Sequence, residues 1–359
     1  MRRILLTGIG SASAQNMLAC LRMAPEPFYI VGCDMDPYHL QWGELDAGYT
    51  APPGGTGEYL AWLNEVIERE GIEFIHGQGD RDAAFLSKHA DTLKARTFYP
   101  RPGVVQLAQN KYAAACAWHG QGLLEKPPIL ISKSGWGLPK DPVGYPVWVR
   151  ATRGAGSRGA SRVLSWHQAT CWLGYWWAHD ETMEFMAEEY LPGREFAFTS
   201  VWYRGELICS AARERVEKCT NLQLGDLGTT STYIVGRSVH DERVNDTATR
   251  AILVLDETPN GIYSVDLKED GAGVVRPTEC NAGRFHTTSL FWAEAGCNMP
   301  YLFVDLALKG LPRGMDGWRV TPYDAVPAGL LWLRQVDCGH VLVREEDLRA
   351  KRLEAACGL

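Results

Sequence analysis

The segment DLKEDGAGVVRPTECNAGR (266–284) sets carboxylates, an amide and a guanidinium a few residues apart. It reads as a β-hairpin turning at Asp270-Gly271. With Asp270 facing Gly273 across the turn, Asp266 falls opposite Pro277, one pleat from Glu279. Side chains two apart share a face, so Asp266, Glu279 and Asn281 project together. A turn different by one residue would break the arrangement. Three oxygen donors, with no His or Cys among them, suit a hard cation such as Mg²⁺ that keeps positions open for phosphate oxygens. The alternative is a solvated polar face on a hairpin.

Other stretches carry complementary groups. In RATRGAGSRGA (150–160) the glycines at 154, 156 and 159 let backbone N–H groups turn toward an anion, and Arg150, Arg153 and Arg158 supply charge. An exposed hairpin tip is the other reading. AEEYLPGREF (187–196) offers Glu188 and Glu195, whose carboxylates can accept from an amino group or ribose hydroxyls. Arg213 and Arg215 share one strand face, where either could grip a substrate carboxylate. His286 lies beside Arg284, with a structural role as the competing reading. Asp80 and Arg81, in HGQGDRD (76–82) at a strand end, face either the cleft or a surface turn.

These groups need elements to position them. Residues 1 to about 105 alternate strand-like and helix-like segments: RRILLTG, SAQNMLACLRM, FYIVGCD, TGEYLAWLNEVIEREG and IEFIHGQGD. That is the rhythm of a parallel sheet wound with helices, which binds ligands at the carboxyl edge of its strands. GIGSAS with Asp34 downstream copies a dinucleotide fingerprint, except that Ser13 stands where the third glycine belongs. TFYPRPG (97–103) links into a second region. There VVQLAQNKYAAACAWHGQG reads as one helix, followed by strand YPVWVRAT, the glycine loop, strand SRVL, helix SWHQATCWLGYWWAHD and strand EFMAEEYL. Ser165 and Gln168 fit a capping box, and Trp172 and Trp176 anchor that helix to its sheet. Strands EFAFTSVWYRG, ELICSAARERVE, STYIVG, IYSVDLK and GVVRPTECN follow, with 217–230 expected as a mobile flap. From Leu311 onward LWLRQVDCGHVLV is strand-like.

Composition narrows the function classes. The chain has 359 residues, enough for two or three domains sharing a cleft. With 46% hydrophobic and 22% charged residues it is an ordinary globular chain, not a disordered one. A net charge of −7 excludes a long nucleic-acid track. The apolar core of MRRILLTGIGSASA is too short for a signal peptide and reads as a first strand, and no apolar run is long enough to span a bilayer. Ten cysteines without a C-x-x-C pair read as reduced core thiols of a cytoplasmic protein.

Lys111 on a helix, Arg150 before a glycine loop, EEYLPGRE, then Asp266, Glu279 and Asn281: in this order the motifs resemble the ATP-grasp superfamily, and within it the carbamoyl-phosphate-synthase-like and D-alanine-D-alanine-ligase-like enzymes. The resemblance covers roughly residues 105 to 300. It implies an α/β ATP-grasp fold behind a Rossmann-like domain at 1–105, a lid region at 106–190, a metal-bearing region at 191–310 and an extension at 311–359. It implies ATP and Mg²⁺, with Lys111, Arg150 and the lid residues Arg153, Gly154, Gly156 and Ser157 toward the phosphates. The backbone of Glu189, Tyr190 and Leu191 would follow the adenine edge, with Glu188 also toward the nucleotide, and Glu195 would bind the ribose. Asp266, Glu279 and Asn281 would hold two magnesium ions, and Arg284 would stabilise an acyl phosphate.

The activity so implied is an ADP-forming carboxylate-amine ligase working through an acyl phosphate on small-molecule acids and amines, with no nucleic-acid or membrane partner. A homodimer stays open. The competing readings are carbamoyl-phosphate-synthase-like activation of bicarbonate or carbamate, an NAD-dependent oxidoreductase built on the first domain, and a catalytically silent nucleotide-binding protein.

Overall fold

Ile4, Leu5 and Leu6 are buried on both faces of β1 (Arg2–Thr7), as a strand inside a helix-covered parallel sheet requires. The structure is a computed structural model that describes residues 1–133, 144–154, 156–157, 159–218, 233–310, 321–335 and 339–346. β1 pairs in parallel with β2 (Phe28–Asp34) and, on its other side, with β4 (Phe74–Gly77), while β3 (Ala47–Thr50) edges β2. Helices α1 (Ala12–Arg22), α2 (Gly57–Glu70) and α3 (Asp80–Lys88) connect them. The expected wound sheet is present, and no helix among the described residues is long and apolar enough to cross a membrane.

The dinucleotide-like loop is filled by the chain itself. Gly10 N–H donates to the Asp34 carboxylate at 2.9 Å, and the same carboxylate lies 3.0 Å from His39 Nδ1. A Cβ on Gly10 would sit 2.2 Å from the His39 ring, so the imidazole occupies the approach that a pyrophosphate would need. This is a correction to the nicotinamide reading: its glycine and its acidic residue are spent on each other.

The helix expected across 104–122 is two helices, α4 (Pro102–Gln109) and α5 (Lys111–Gly120). Asn110 leaves the helical region at φ −95°, ψ 96° and its side chain accepts from Ala113 N–H, so a residue that favours caps breaks the run and starts it again. Lys111 is thereby the first residue of a helix, and its N–H donates to Thr152 O at 2.8 Å.

A small lid sheet follows, built from β5 (Ile129–Ile131), β6 (Val147–Ala151), β7 (Ser161–Val163) and β8 (Phe185–Glu189) in the order β5-β8-β6-β7. Helix α6 (Trp166–His179) covers it. Ser165 Oγ accepts from Gln168 N–H, while the Gln168 side chain accepts from Leu164 N–H, one residue before the cap. Ala169, Leu173 and Trp177 form the buried stripe, with Trp172 and Trp176 packed at its margin. Trp172 also donates to Gly159 O at 3.0 Å, which ties the helix to the end of the glycine loop.

The large sheet is antiparallel. It runs β13 (Val275–Ala282), β12 (Gly261–Glu269), β9 (Glu195–Tyr203), β10 (Glu206–Lys218), β11 (Tyr233–Val239), β14 (Leu330–Gln335), β15 (Gly339–Arg344). Phe196, Phe198, Val265, Leu267 and Cys280 face α4, α5 and α7 (Glu242–Leu255). On the other face Val201, Cys209, Ala211 and Trp332 pack on α8 (Ser289–Glu294) and α9 (Met299–Lys309), in the core that includes Ile4 and Phe74 of the first sheet. The strands after Leu311 extend this sheet rather than standing apart. From 219 onward the expected 217–230 flap lies outside the described residues, as does Arg158. Among the described cysteines Cys116 and Cys171 are exposed and Cys20, Cys33, Cys209, Cys280 and Cys297 are buried, all as free thiols.

The hairpin register differs from the expected one. The turn is a residue longer, so Glu269 pairs with Val275 and Leu267 with Pro277. That shift alone would send Glu279 to the helix-covered face. A bulge between Leu267 and Asp266 leaves Thr278 unpaired and sets Asp266 opposite Glu279 and Ser264 opposite Asn281. The bulge cancels the longer turn, and all three side chains return to one face.

In the first domain, the Asp82 carboxyl is enclosed by Gly8, Gly77 and Gly79. Burial pushes it up to about 6, only partly offset by the Thr7 hydroxyl and Gly79 N–H. The folded chain therefore binds more protons than the unfolded chain between the ordinary carboxylate value and that point, so stability falls as pH rises through this window. Asp82→Asn should flatten the pH dependence between 4 and 6 and stabilise the protein at pH 7 by on the order of 2 kcal/mol, read by urea unfolding at both pH values.

Candidate functional site

The lid sheet and the large sheet enclose a cavity of about 510 Å³, within the range of small-molecule sites. Its floor is one sheet face read across the register: Asn281 and Glu279 on β13, Asp266 and Lys268 on β12, Glu195 on β9, Arg213 and Arg215 on β10. Its roof brings Arg150, Glu188, Glu189, Tyr190 and Leu191 from the lid sheet, with Gly154, Gly156 and Ser157 from the loop. Gly154 and Gly156 have φ of 102° and 73° with nothing within 4 Å of a built Cβ, so they are required for backbone conformation rather than space.

The lining charges are paired but unbalanced. Nine Lys and Arg side chains line the cavity against five Asp and Glu, inside a chain of net charge −7, which suits a polyanionic ligand. Lys111 Nζ donates to Gly154 O at 2.6 Å and stands 3.5 Å from Glu279 Oε1. Arg150 pairs with Glu188 at 2.8 Å and donates to Thr278 O at 2.7 Å, joining the roof to the bulge on the floor. Burial pushes the Glu188 carboxyl up, and Arg150 opposes it.

Glu195 accepts from Lys268 at 2.9 Å, from Lys218 at 3.1 Å and from the Tyr233 hydroxyl. Its burial raises the carboxyl, but the two lysines outweigh that and hold it below the usual range. Tyr190 lies between two cations, with Arg162 and Lys268 each 5.4 Å from its ring centre.

Asp266 Oδ1 is 2.5 Å from Arg215 and 2.9 Å from His286 Nε2. Burial acts to raise this carboxyl, and the two cationic neighbours reverse the shift and hold it well below its ordinary value. Burial lowers His286, with Asp266 opposing. On its other side, His286 Nδ1 lies 3.1 Å from Thr199 Oγ1. Arg284 reaches Asp80 Oδ1 at 2.5 Å and also the Asn281 side-chain oxygen.

Most of the expected site residues therefore meet in this cavity. Arg153 and Arg81 are exposed and do not line it, and Asp80 contributes only through its ion pair with Arg284. Sequence reasoning missed Trp148, Arg162, Lys218, Tyr233, Lys268 and Arg334, which also line it. Lys268 and Trp148 were within reach, each two residues from a recognised partner on the same strand. Arg334 was not, because β14 comes from the region beyond Leu311.

As to a metal, no cluster of three His, Cys, Asp or Glu with metal-holding geometry occurs among the described residues. The oxygen set is two carboxylates and an amide. Both cationic contacts of Asp266 fall on Oδ1, and Glu279 and Asn281 each face a single flexible cation. A hard ion that displaces Lys111 from Glu279 and Arg284 from Asn281 fits this donor set.

No family model matches the chain. The D-alanine–D-alanine ligase of Mycobacterium avium (strain 104) is 26% identical over 191 residues, 49% of this chain and 51% of that protein. The chain thus matches about half the length of this curated relative. Among solved structures, the L-amino acid ligase from Bacillus licheniformis superposes with TM-score 0.68 at 13% identity, covering 92% of this chain and 80% of that one. N5-carboxyaminoimidazole synthetase from Staphylococcus aureus complexed with ADP gives TM-score 0.64 at 14% identity over 99% of this chain and 86% of that one. At such identities the structural likeness shows the fold alone, an α/β ATP-grasp fold preceded by a parallel-sheet domain.

Proposed function

We propose that the protein is an ATP-dependent, ADP-forming carboxylate-amine ligase that works through an acyl phosphate. The observation that carries this reading is the shared face of Asp266, Glu279 and Asn281, opposite Lys111 and Arg150 and beneath the glycine loop. The curated relatives are D-alanine–D-alanine ligases by name, and one superposed structure holds ADP.

In the first step an oxygen of the substrate carboxylate forms a bond to the γ-phosphorus of ATP, and the bond from that phosphorus to the bridging oxygen breaks to release ADP. An amine then attacks the acyl carbon, inorganic phosphate leaves and the amine loses a proton. Magnesium bound with the nucleotide would supply charge neutralisation between the phosphates, held by Asp266, Glu279 and Asn281. Lys111 and Arg150 orient the phosphate chain and offset the charge of an anion approaching a polyanion. Arg284, freed from Asn281, would stabilise the acyl phosphate. Tyr190 and Glu195 are placed for the base and ribose. The lid excludes water, which would otherwise hydrolyse the intermediate.

The test is ADP release measured over a panel of acids and amines with ATP and Mg²⁺. Release that needs both an acid and an amine supports the ligase. Release that needs bicarbonate instead would assign the carboxylation chemistry, and nucleotide binding without any release would make the protein a silent binder.

Two variants probe the site. Glu279→Gln is expected to lower kcat by about 100-fold or more with the melting temperature nearly unchanged, because it removes a metal ligand from a partly exposed position. Equal losses of both would mark the residue as structural. Arg150→Met should destabilise by about 3 kcal/mol in urea unfolding, because it strands the buried Glu188, whereas adding Glu188→Met should recover most of that loss.

A further inference from the structure

Arg213 stands apart from the other cations of the cavity. It is 4% exposed, lines the cavity floor, and its Nε has no hydrogen-bond partner. Among the described residues no carboxylate lies within ion-pair distance of it, because Asp266, which faces it across the sheet, is already held by Arg215 and His286. An uncompensated buried guanidinium is costly, and a protein retains one where a ligand supplies the missing charge.

The space around it is kept open. Arg213 pairs with Ala197 on one side, and on β11 Gly236 is so close that a Cβ there would lie 3.3 Å from Arg213 Nη1. Arg334 lies on the same sheet face, two residues beyond Trp332, which pairs with Gly236. It lines the same cavity, and its own Nε is anchored to Tyr233 O at 2.6 Å. Burial, with Arg215 and Arg334 nearby, lowers Arg213 to about 9, and Asp266 opposes the shift. Two strand spacings, ~10 Å of backbone, separate Arg213 from Asp266.

We propose that Arg213, with Arg334 beside it, binds a second, non-reacting anionic group of the substrate, so that the acid or amine accepted here carries a carboxylate or phosphate beyond the group that reacts. This rests on the ligase reading for the identity of the reacting end, and on the arginine geometry alone for the anion. Substrates with one charged end would leave the guanidinium unneutralised and bind weakly.

Calorimetric titration of the full chain without nucleotide tests it, using glutarate against valerate, which differ by one carboxylate at equal carbon number. The wild type should bind glutarate at least tenfold more tightly, and Arg213→Gln should abolish the difference while still binding a non-hydrolysable ATP analogue with Mg²⁺. Removing an unneutralised buried charge should leave the melting temperature of this variant equal or higher. Arg334→Gln is expected to lower the preference about threefold, and it carries the test if Arg213→Gln does not fold. Equal affinities for the two acids, or a preference that survives in the variants, would overturn the proposal. Inorganic phosphate that displaces glutarate from the wild type points to a phosphorylated substrate, and failure to displace it points to a dicarboxylate. Loss of analogue binding in the wild type would count against the ligase reading and leave the anion site standing.

Discussion

The orientation of the oxygen donors hangs on the unpaired residue Thr278. Its hydroxyl donates to Asp266 O at 3.0 Å and its carbonyl accepts from Arg150 at 2.7 Å, so the extra residue is fastened both within the hairpin and from the lid sheet. Remove that residue and the side-chain alternation inverts: Glu279 and Asn281 turn toward Val265 and Phe198, where no charge is tolerated. Arg150 thus has a structural part beside its proposed phosphate contact. Its other partner is the buried Glu188, and the triangle of Arg150, Glu188 and Thr278 fixes the roof against the floor.

The large sheet divides its labour along a single face. Toward α8 and α9 the residues Val201, Cys209, Ala211 and Trp332 are apolar and join the core shared with the first domain. Further along the same strands the same face turns polar, from Thr199 and Arg213 to Asp266 and Glu279. One rigid surface therefore serves as core and as cavity floor, and the positions of the charged groups inherit the rigidity of the packed end.

Much of this was legible in the chain. The wound first sheet, the glycine loop and the order of motifs follow from local pattern, whereas the expected grouping of Asp266, Glu279 and Asn281 rested on a register the hairpin does not have. What was not legible is non-local. The expected register placed Asp266 opposite Pro277, yet the turn is longer and a bulge corrects it; the two departures offset each other, and nothing in the hairpin's own residues announces a bulge that Arg150 helps to hold. The break at Asn110 was readable in hindsight, since Asn caps helices, but the apolar periodicity runs straight through it. The dinucleotide-like loop misled because glycine spacing says nothing of His39, which folds back from a 3₁₀ turn to fill it. Arg334 was beyond reach because its strand joins the sheet from a distant part of the chain.

Each oxygen donor proposed for the metal already holds a cation of the chain itself: Lys111 at Glu279, Arg284 at Asn281, Arg215 at Asp266. Occupancy is then an exchange of partners and not the filling of a void. A nucleotide arriving without its ion would draw the lysine away and strand a carboxylate; an ion arriving alone would strand the lysine. Under the proposed function only the two together would leave Lys111 and Glu279 both answered, so their ion pair would act as a coincidence requirement.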